Sequence, residues 1–583
     1  YVTPSVILNL GFNFKITDNL KLDFAYAPHF WEQHYKGYQT ELPTYYPDES
    51  LAYTVPNATS LTHKNNRYKK NNIKATLHYD NKFGDHGVGL LAGWQDEDYW
   101  ERWFSGSRRG FDLPGYDVLD AGAKDEQKAE GTGSEWALRS FFGRINYNYK
   151  ERYLFEANIR YDGSSRFAKG HRWGLFPSFS GGWRISEEAF WEPLRSTFDN
   201  FKIRASWGQL GNQNIGTYPF DSFVNLALPY VFNSSPYNGA ALQAMANNRI
   251  SWEKTEMTNF GVDFTLFKNL QVTFDYYIKN TSDILLKLDV PKIIGLTAPY
   301  QNAGKVRNKG WELALNYGDK VNDFSYNIGF NLSDVKNKVI DLKGINSDGL
   351  VVNHEGYSMN SIYALEAIGF FTSEDQLNNH AKQYGNYSLG DIMYKDQLTI
   401  DTDGDGIPDE GDGVINDDDK VIVGNSIPRF TFGLSTYLSW KNFDFNMLLQ
   451  GVGKADGYLY SQAVMPFYLG GTATEGHKDY WSEDNPNATY PRLAFNEPNN
   501  EKHSTFWMKN AAYLRVKNVQ IGYNIPKKIL QNCGIQSTRI YVSGQNLFSF
   551  DSFWDGFDVE SAVGRGNHYP QVRSFSVGLD VKF

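Results

Sequence analysis

Between Asp401 and Lys420 the chain reads "DTDGDGIPDEGDGVINDDDK", placing nine carboxylates ahead of the first basic residue. Crowding of this kind opposes full ionisation unless a cation gathers the groups. The spacing is that of a calcium loop. Asp401, Asp403 and Asp405 alternate, the Ile407 carbonyl, Asp409 and Asp412 follow at the later ligand positions, and Gly406 falls where such a loop turns sharply. A hard divalent ion takes about 6 to 8 oxygens, which this set approaches. Asp412 is shorter than the bidentate Glu that usually closes the loop. A second, overlapping register through Asp412, Val414, Asn416 and Asp419 offers a shifted set of ligands or a second ion. The expectation is a structural Ca2+ that orders a surface loop, and the alternative is a solvated acidic segment.

No other stretch carries catalytic chemistry. The chain has no HExxH, no Walker loop and no GxSxG, and its 11 His are scattered without ligand spacing, so no enzyme activity is expected. The single cysteine, Cys533, excludes an internal disulfide framework and reads as an incidental thiol in a short connection. Aromatic clusters at "YKGYQTELPTYY" (35–46), "DEDYWERWF" (96–104) and "SFWDGFD" (552–558) could stack on sugar rings, or could simply pack loops together.

The elements that would carry these residues are strands. Aromatic residues make up 16% of the 583, with 53 Gly, a β-rich and turn-rich composition. Mean hydropathy is -0.52, and no run of about 18 apolar residues could form a membrane helix. A membrane β-barrel remains open, because its strands are apolar only at alternate positions. The net charge of -10 argues against a nucleic-acid partner.

Alternation recurs along the chain. At the end, Phe575, Val577, Leu579, Val581 and Phe583 share one face, opposite Ser576, Gly578, Asp580 and Lys582. About 17 strands of about 9 to 14 residues can be counted, a length that suits a tilted bilayer crossing. Short connections near Thr17, Lys82, Lys150, Lys268, Gly318 and Lys441 alternate with long ones near 28–67, 98–134, 208–249, 335–428 and 456–510. Two short-side exceptions, "SEEAFWEPLRSTFDN" and "NIPKKILQNCGIQ", read as helical turns. Tyr26, Trp183, Trp207, Trp440 and Tyr523 are expected at strand ends, as in an aromatic girdle. This asymmetry predicts an all-β, transmembrane antiparallel barrel with long extracellular loops and short periplasmic turns. Residues 336–427 would form the extracellular loop that holds the acidic segment. The competing reading is a soluble or surface-attached all-β binding or adhesion protein.

Several stretches carry a family resemblance: "RYDGSSRFAKGHRWGLFPSFSGGWRISEEAFW" (160–191), "SWEKTEMTNFGVDF" (251–264), "GDGVINDDDKVIVGNSIPRFTFGL" (411–434), "AAYLRVKNVQIGYNIP" (511–526), "RIYVSGQNLFSF" (539–550) and the final "YPQVRSFSVGLDVKF". Together they resemble the SusC family of TonB-dependent outer-membrane transporters. The resemblance implies a barrel of about 22 strands, occluded by an N-terminal plug and energised by TonB. It also implies location in the outer membrane of a Gram-negative bacterium, a SusD-like surface lipoprotein as partner, and oligosaccharide or peptide cargo. Residues 1–583 would then be the C-terminal part of the barrel. Strand parity gives the same expectation, since bacterial barrels have even strand numbers; a plug and about five first strands would precede Tyr1.

Overall fold

The computed structural model describes residues 2–113, 115–288, 290–344, 349–495, 497–530 and 534–583. Cys533 lies outside them. The alternating segments form one 19-stranded sheet. Two of its strands are interrupted rather than new. Ser5–Ile7 and Leu10–Lys15 keep a single register against His29–Gln39 and Leu20–Tyr26, with Ser5 facing Trp31 and Leu10 facing Tyr26. Pro28, which has no N–H to donate, breaks the ladder there without shifting it. Counting each interrupted strand once reduces the 19 strands by two, to the 17 crossings expected from the alternation.

The chain forms two compact units. The first comprises Tyr1–Trp183, Ala205–Met257 and Thr281–Gly304. Its strands are longer than expected: Ser60–Phe83 and His86–Arg109 have 24 residues each and Lys128–Tyr149 has 22. At about 3.3 Å per residue these outrun a hydrocarbon core of about 30 Å. Much of the long connections foreseen at 28–67 and 98–134 is therefore ladder. His29–Gln39 pairs with 60–70, and 98–107 pairs with 128–137. Backbone pairing satisfies itself in lipid or in water, so the hairpins continue beyond the apolar zone with Lys64, Arg67, Glu97 and Glu101 as side chains. The turn foreseen at Lys82 lies at Gly84–Asp85, where Gly84 supplies the left-handed φ of +60. Phe141, Ile145, Phe155 and Ile159 are exposed, whereas Ser140 and Asp162 are buried. On that inner face Arg160 donates to Asp162 and to Ser140, each at 2.7 Å.

The second unit comprises Arg184–Arg204, Thr258–Asn280 and Lys305–Phe583. Its turn foreseen at Gly318 lies at residues 322–323, between paired Val321 and Phe324. From Phe324–Asp341 an antiparallel series runs through Arg429–Trp440, Phe443–Lys454, Tyr513–Asn524 and Ser537–Asp551 to Ser574–Lys582. In the last strand Phe575 is 77% exposed and Val577 78%. Behind the sheet, Arg539 donates to Asp444 at 2.9 Å and Gln520 at 2.9 Å, and Arg204 joins Asp263 to Asp275. Apolar rows outside and charged pairs inside invert the pattern of a soluble sandwich, as lipid on the outer face requires. Trp183, Trp440 and Tyr523 sit at or beside strand ends, but Trp207 is mid-strand in Phe198–Asn212. The foreseen helical turns are present as Ile185–Glu187, Ala189–Leu194 and Lys527–Leu530.

The loops of this unit fold into a layer with its own apolar core. The connection foreseen at 336–427 runs from 342 to 428, because its flanking strand continues to Asp341. It contributes the strands Ser361–Ala364 and Val421–Asn425 and the helix Glu374–Asn379, whose Gln376 N–H is capped by Ser373 at 3.3 Å. Trp507, Tyr394, Tyr458, Leu365 and Ile392 are fully buried within the layer.

Candidate functional site

The acidic segment hangs from this layer on a short bridge. Ile400 and Thr399 donate to the Glu410 carbonyl at 2.9 Å, and Asp409 N–H returns to the Ile400 carbonyl at 2.8 Å. Within the loop so closed, one carboxylate oxygen from each of Asp401, Asp403 and Asp405 lies within 4.8 Å of the others, all on exposed side chains. Asp401 accepts the N–H groups of Gly404 at 2.7 Å and Gly406 at 2.8 Å, which hold its carboxyl below the ordinary range. Both glycines need positive φ, +79 and +87, to present those donors. Asp403 accepts Asp405 N–H at 3.2 Å, and Asp405 accepts Ile407 N–H at 2.8 Å.

The other expected ligands are placed differently. Asp409 accepts from the Thr402 hydroxyl at 2.7 Å and its N–H at 3.0 Å, which lowers its pKa. Asp412 accepts Val414 N–H at 2.9 Å and faces the Asn416 amide at 3.5 Å. Asp419 is fully buried, its two oxygens taken by Gln397 N–H at 2.8 Å and Asn416 N–H at 2.7 Å. Thus Asp401, Asp403 and Asp405 come together. Asp412, Asn416 and Asp419 instead tie the descending segment to 397 and 414.

Asp396 has no signal in the spacing, yet it belongs here. One oxygen accepts Gly413 N–H at 3.0 Å, while the other is buried without a hydrogen-bond partner. Burial, with Asp419 and Asp412 nearby, pushes its carboxyl up. Chemically the loop offers hard oxygen donors at Asp401, Asp403 and Asp405, the class that suits calcium.

The aromatic clusters divide, some rings packing and others, Phe104 among them, standing exposed. Phe553 and Trp554 are buried in the loop core. Tyr99, in the second cluster, stacks on its cross-strand neighbour Trp136 at 5.7 Å, and nearby Trp31 stacks on Tyr68 at 4.8 Å and 10°. Tyr45 and Tyr46 remain exposed.

Residues 3–547 match the family model described as TonB dependent receptor-like, beta-barrel. The chain is similar to TonB-dependent receptor P3 of Formosa agariphila, 31% identical over an alignment of 540 residues, with coverage of 87% of this chain and 52% of that protein. It is also similar to TonB-dependent receptor SusC of Bacteroides thetaiotaomicron, at 29% identity over 89% of this chain and 50% of that protein. The chain therefore spans about half the length of these curated relatives. In fold it is similar to the solved structure of the RagAB peptide transporter, with a TM-score of 0.83, 22% identity, and coverage of 100% of this chain and 62% of that one.

Proposed function

The chain belongs to the β-barrel family of TonB-dependent receptor-like proteins, outer-membrane proteins of Gram-negative bacteria, and from that premise we propose that it is the barrel portion of a nutrient importer. In this reading a plug and a TonB contact lie outside residues 1–583, and a SusD-like lipoprotein covers the loop side. The cargo is an oligosaccharide or a peptide, bound and passed without an enzymatic step. The observation that carries the reading is the inverted sheet: apolar rows such as Phe575, Val577 and Leu579 face outward, while Arg539, Asp444 and Arg204 line the other face. Such a wall suits a wet passage through lipid.

The acidic loop fits the reading as a structural calcium site centred on Asp401, Asp403 and Asp405, with the Ile407 carbonyl and Asp409 closing in when the ion binds. Its support is the mutual approach of three carboxylates on glycine-shaped backbone.

The test is purification of the full-length protein in mild detergent, together with uptake of labelled oligosaccharides and peptides by cells with and without TonB. A lipoprotein of comparable abundance and TonB-dependent uptake are expected. Repeated recovery of the barrel alone, with uptake unchanged when TonB is lost, would overturn the proposal.

A further inference from the structure

Within the second unit, a cavity of about 520 Å³ opens between the tops of two sheet strands and the segment 558–563. Its walls mix apolar groups, from Pro428, Val452, Ala562 and Val563, with the polar side chains of Ser426, Tyr513, Ser561 and His568. The size and lining are those of a site for a small organic group.

The cavity is rigidly built. Val563–Gly564 pairs in parallel with Tyr458–Leu459, and Tyr458 N–H donates to the Ala562 carbonyl at 2.7 Å. Arg515, itself buried, donates to Asp558 at 2.9 Å and to Glu560 at 2.7 Å, and Lys517 approaches Glu560 at 2.6 Å. Those two cations balance those two carboxylates, although Glu560 also borders the cavity. Asp456 is left over. It lines the same cavity, accepts Asn425 N–H through one oxygen at 2.9 Å, and joins none of the ion pairs among the described residues.

A cavity with an apolar stretch of wall beside one carboxylate that has no ion-pair partner among the described residues suits a ligand with an alkyl body and a cationic tip. We infer that the cavity is a subsite for an alkylammonium or guanidinium group, such as a lysine or arginine side chain of a peptide, with the free oxygen of Asp456 accepting its charged N–H. This deepens the importer reading, on which it rests, by favouring peptide over oligosaccharide cargo. The alkyl stem would lie along Val452 and Val563, and no carboxylate ligand would be admitted.

Calorimetric titration of the full-length protein in detergent with Gly-Lys-Gly, Gly-norleucine-Gly and Gly-Glu-Gly tests the assignment. The lysine peptide should bind at least about tenfold more tightly than the norleucine peptide, the worth of one charge-assisted hydrogen bond, and the glutamate peptide should not bind. Asp456→Asn keeps an acceptor for Asn425 N–H while removing the charge, so it should abolish the lysine preference and leave norleucine binding and the melting temperature unchanged. Ala562→Phe, which fills the chamber, should remove binding of both. Equal affinities for lysine and norleucine, a preference that survives Asp456→Asn, or no binding of either peptide would overturn it. Because binding is read on purified protein, its failure with TonB-dependent uptake intact would count against this subsite alone. Binding without such uptake would count against the importer reading alone.

Discussion

The strands and the loop layer of the second unit follow opposite rules of burial. In the strands Val542 is 50% exposed and Val577 78%, while Asp444 is buried at 6%. In the layer Trp507 and Tyr458 are fully buried, while Asp401, Asp403 and Asp405 stand in the open. One polypeptide thus carries two hydrophobic patterns, and the difference identifies the solvent of each region. Apolar side chains exposed in rows mark lipid, and apolar side chains gathered into a cluster mark water outside.

The largest effect is expected at the layer's core. Trp507→Ala removes a fully buried ring and should cost about 3–5 kcal/mol. Limited proteolysis should then cut the loops between 342 and 510, while the sheet keeps its heat-modifiable migration in gels. Next in size, Val542→Arg puts a charge on the apolar face of the sheet and should cost about 2–4 kcal/mol of reversible folding in lipid vesicles if it lies near the midplane. Ile407→Arg, on a residue that is 67% exposed in the acidic loop, should change stability by less than about 0.5 kcal/mol. Equal penalties for the two arginines would erase the distinction between lipid and water.

Acid should separate the regions more gently. Burial lowers the pKa of His380, His477 and His503, all in the layer. The His477 ring bridges Thr474 N–H at 2.9 Å and the Val464 carbonyl at 3.0 Å, which fixes a neutral tautomer. In the unfolded chain such rings take up protons near pH 6.5. Their contribution is therefore whole above about 6.5 and is lost as pH falls towards the lower folded values. Hydrogen exchange at pH 7.5 and 5 should show amides of 371–510 losing protection at the lower pH, with the strands unchanged, and His477→Gln should blunt the response.

The smallest effect expected is that of calcium removal. Chelator should loosen the loop 399–410 to protease and lower the layer's melting temperature slightly, and Asp403→Ala with Asp405→Ala should abolish that sensitivity. A loop indifferent to chelator is a solvated acidic segment.

Alternation made the sheet legible in the sequence. Strand type, strand number and the outward apolar face of residues 575–583 all follow from period-two patterning, which is a local property. Strand length did not follow, because beyond the membrane the ladder continues on polar side chains that read as loop. The layer's core was hidden for a different reason: Leu365, Tyr394, Tyr458 and Trp507 are scattered in sequence and meet only in three dimensions. At the acidic loop, spacing found Asp401, Asp403 and Asp405. It could not foresee that Asp419 serves backbone donors at 397 and 416, or that Asp396 leaves an oxygen buried beside them.

Whether the exposed apolar rows face lipid can be read at two neighbouring positions of one strand. Val542 and Ser543 point to opposite faces. Spin labels placed singly at each, in the full-length protein reconstituted into vesicles with Cys533 replaced by serine, can be relaxed by oxygen, which enters lipid, or by a water-soluble nickel chelate. The label at 542 is expected to respond to oxygen and not to nickel, and the label at 543 to show the reverse preference. Equal response to nickel at both positions would contradict the lipid-facing assignment.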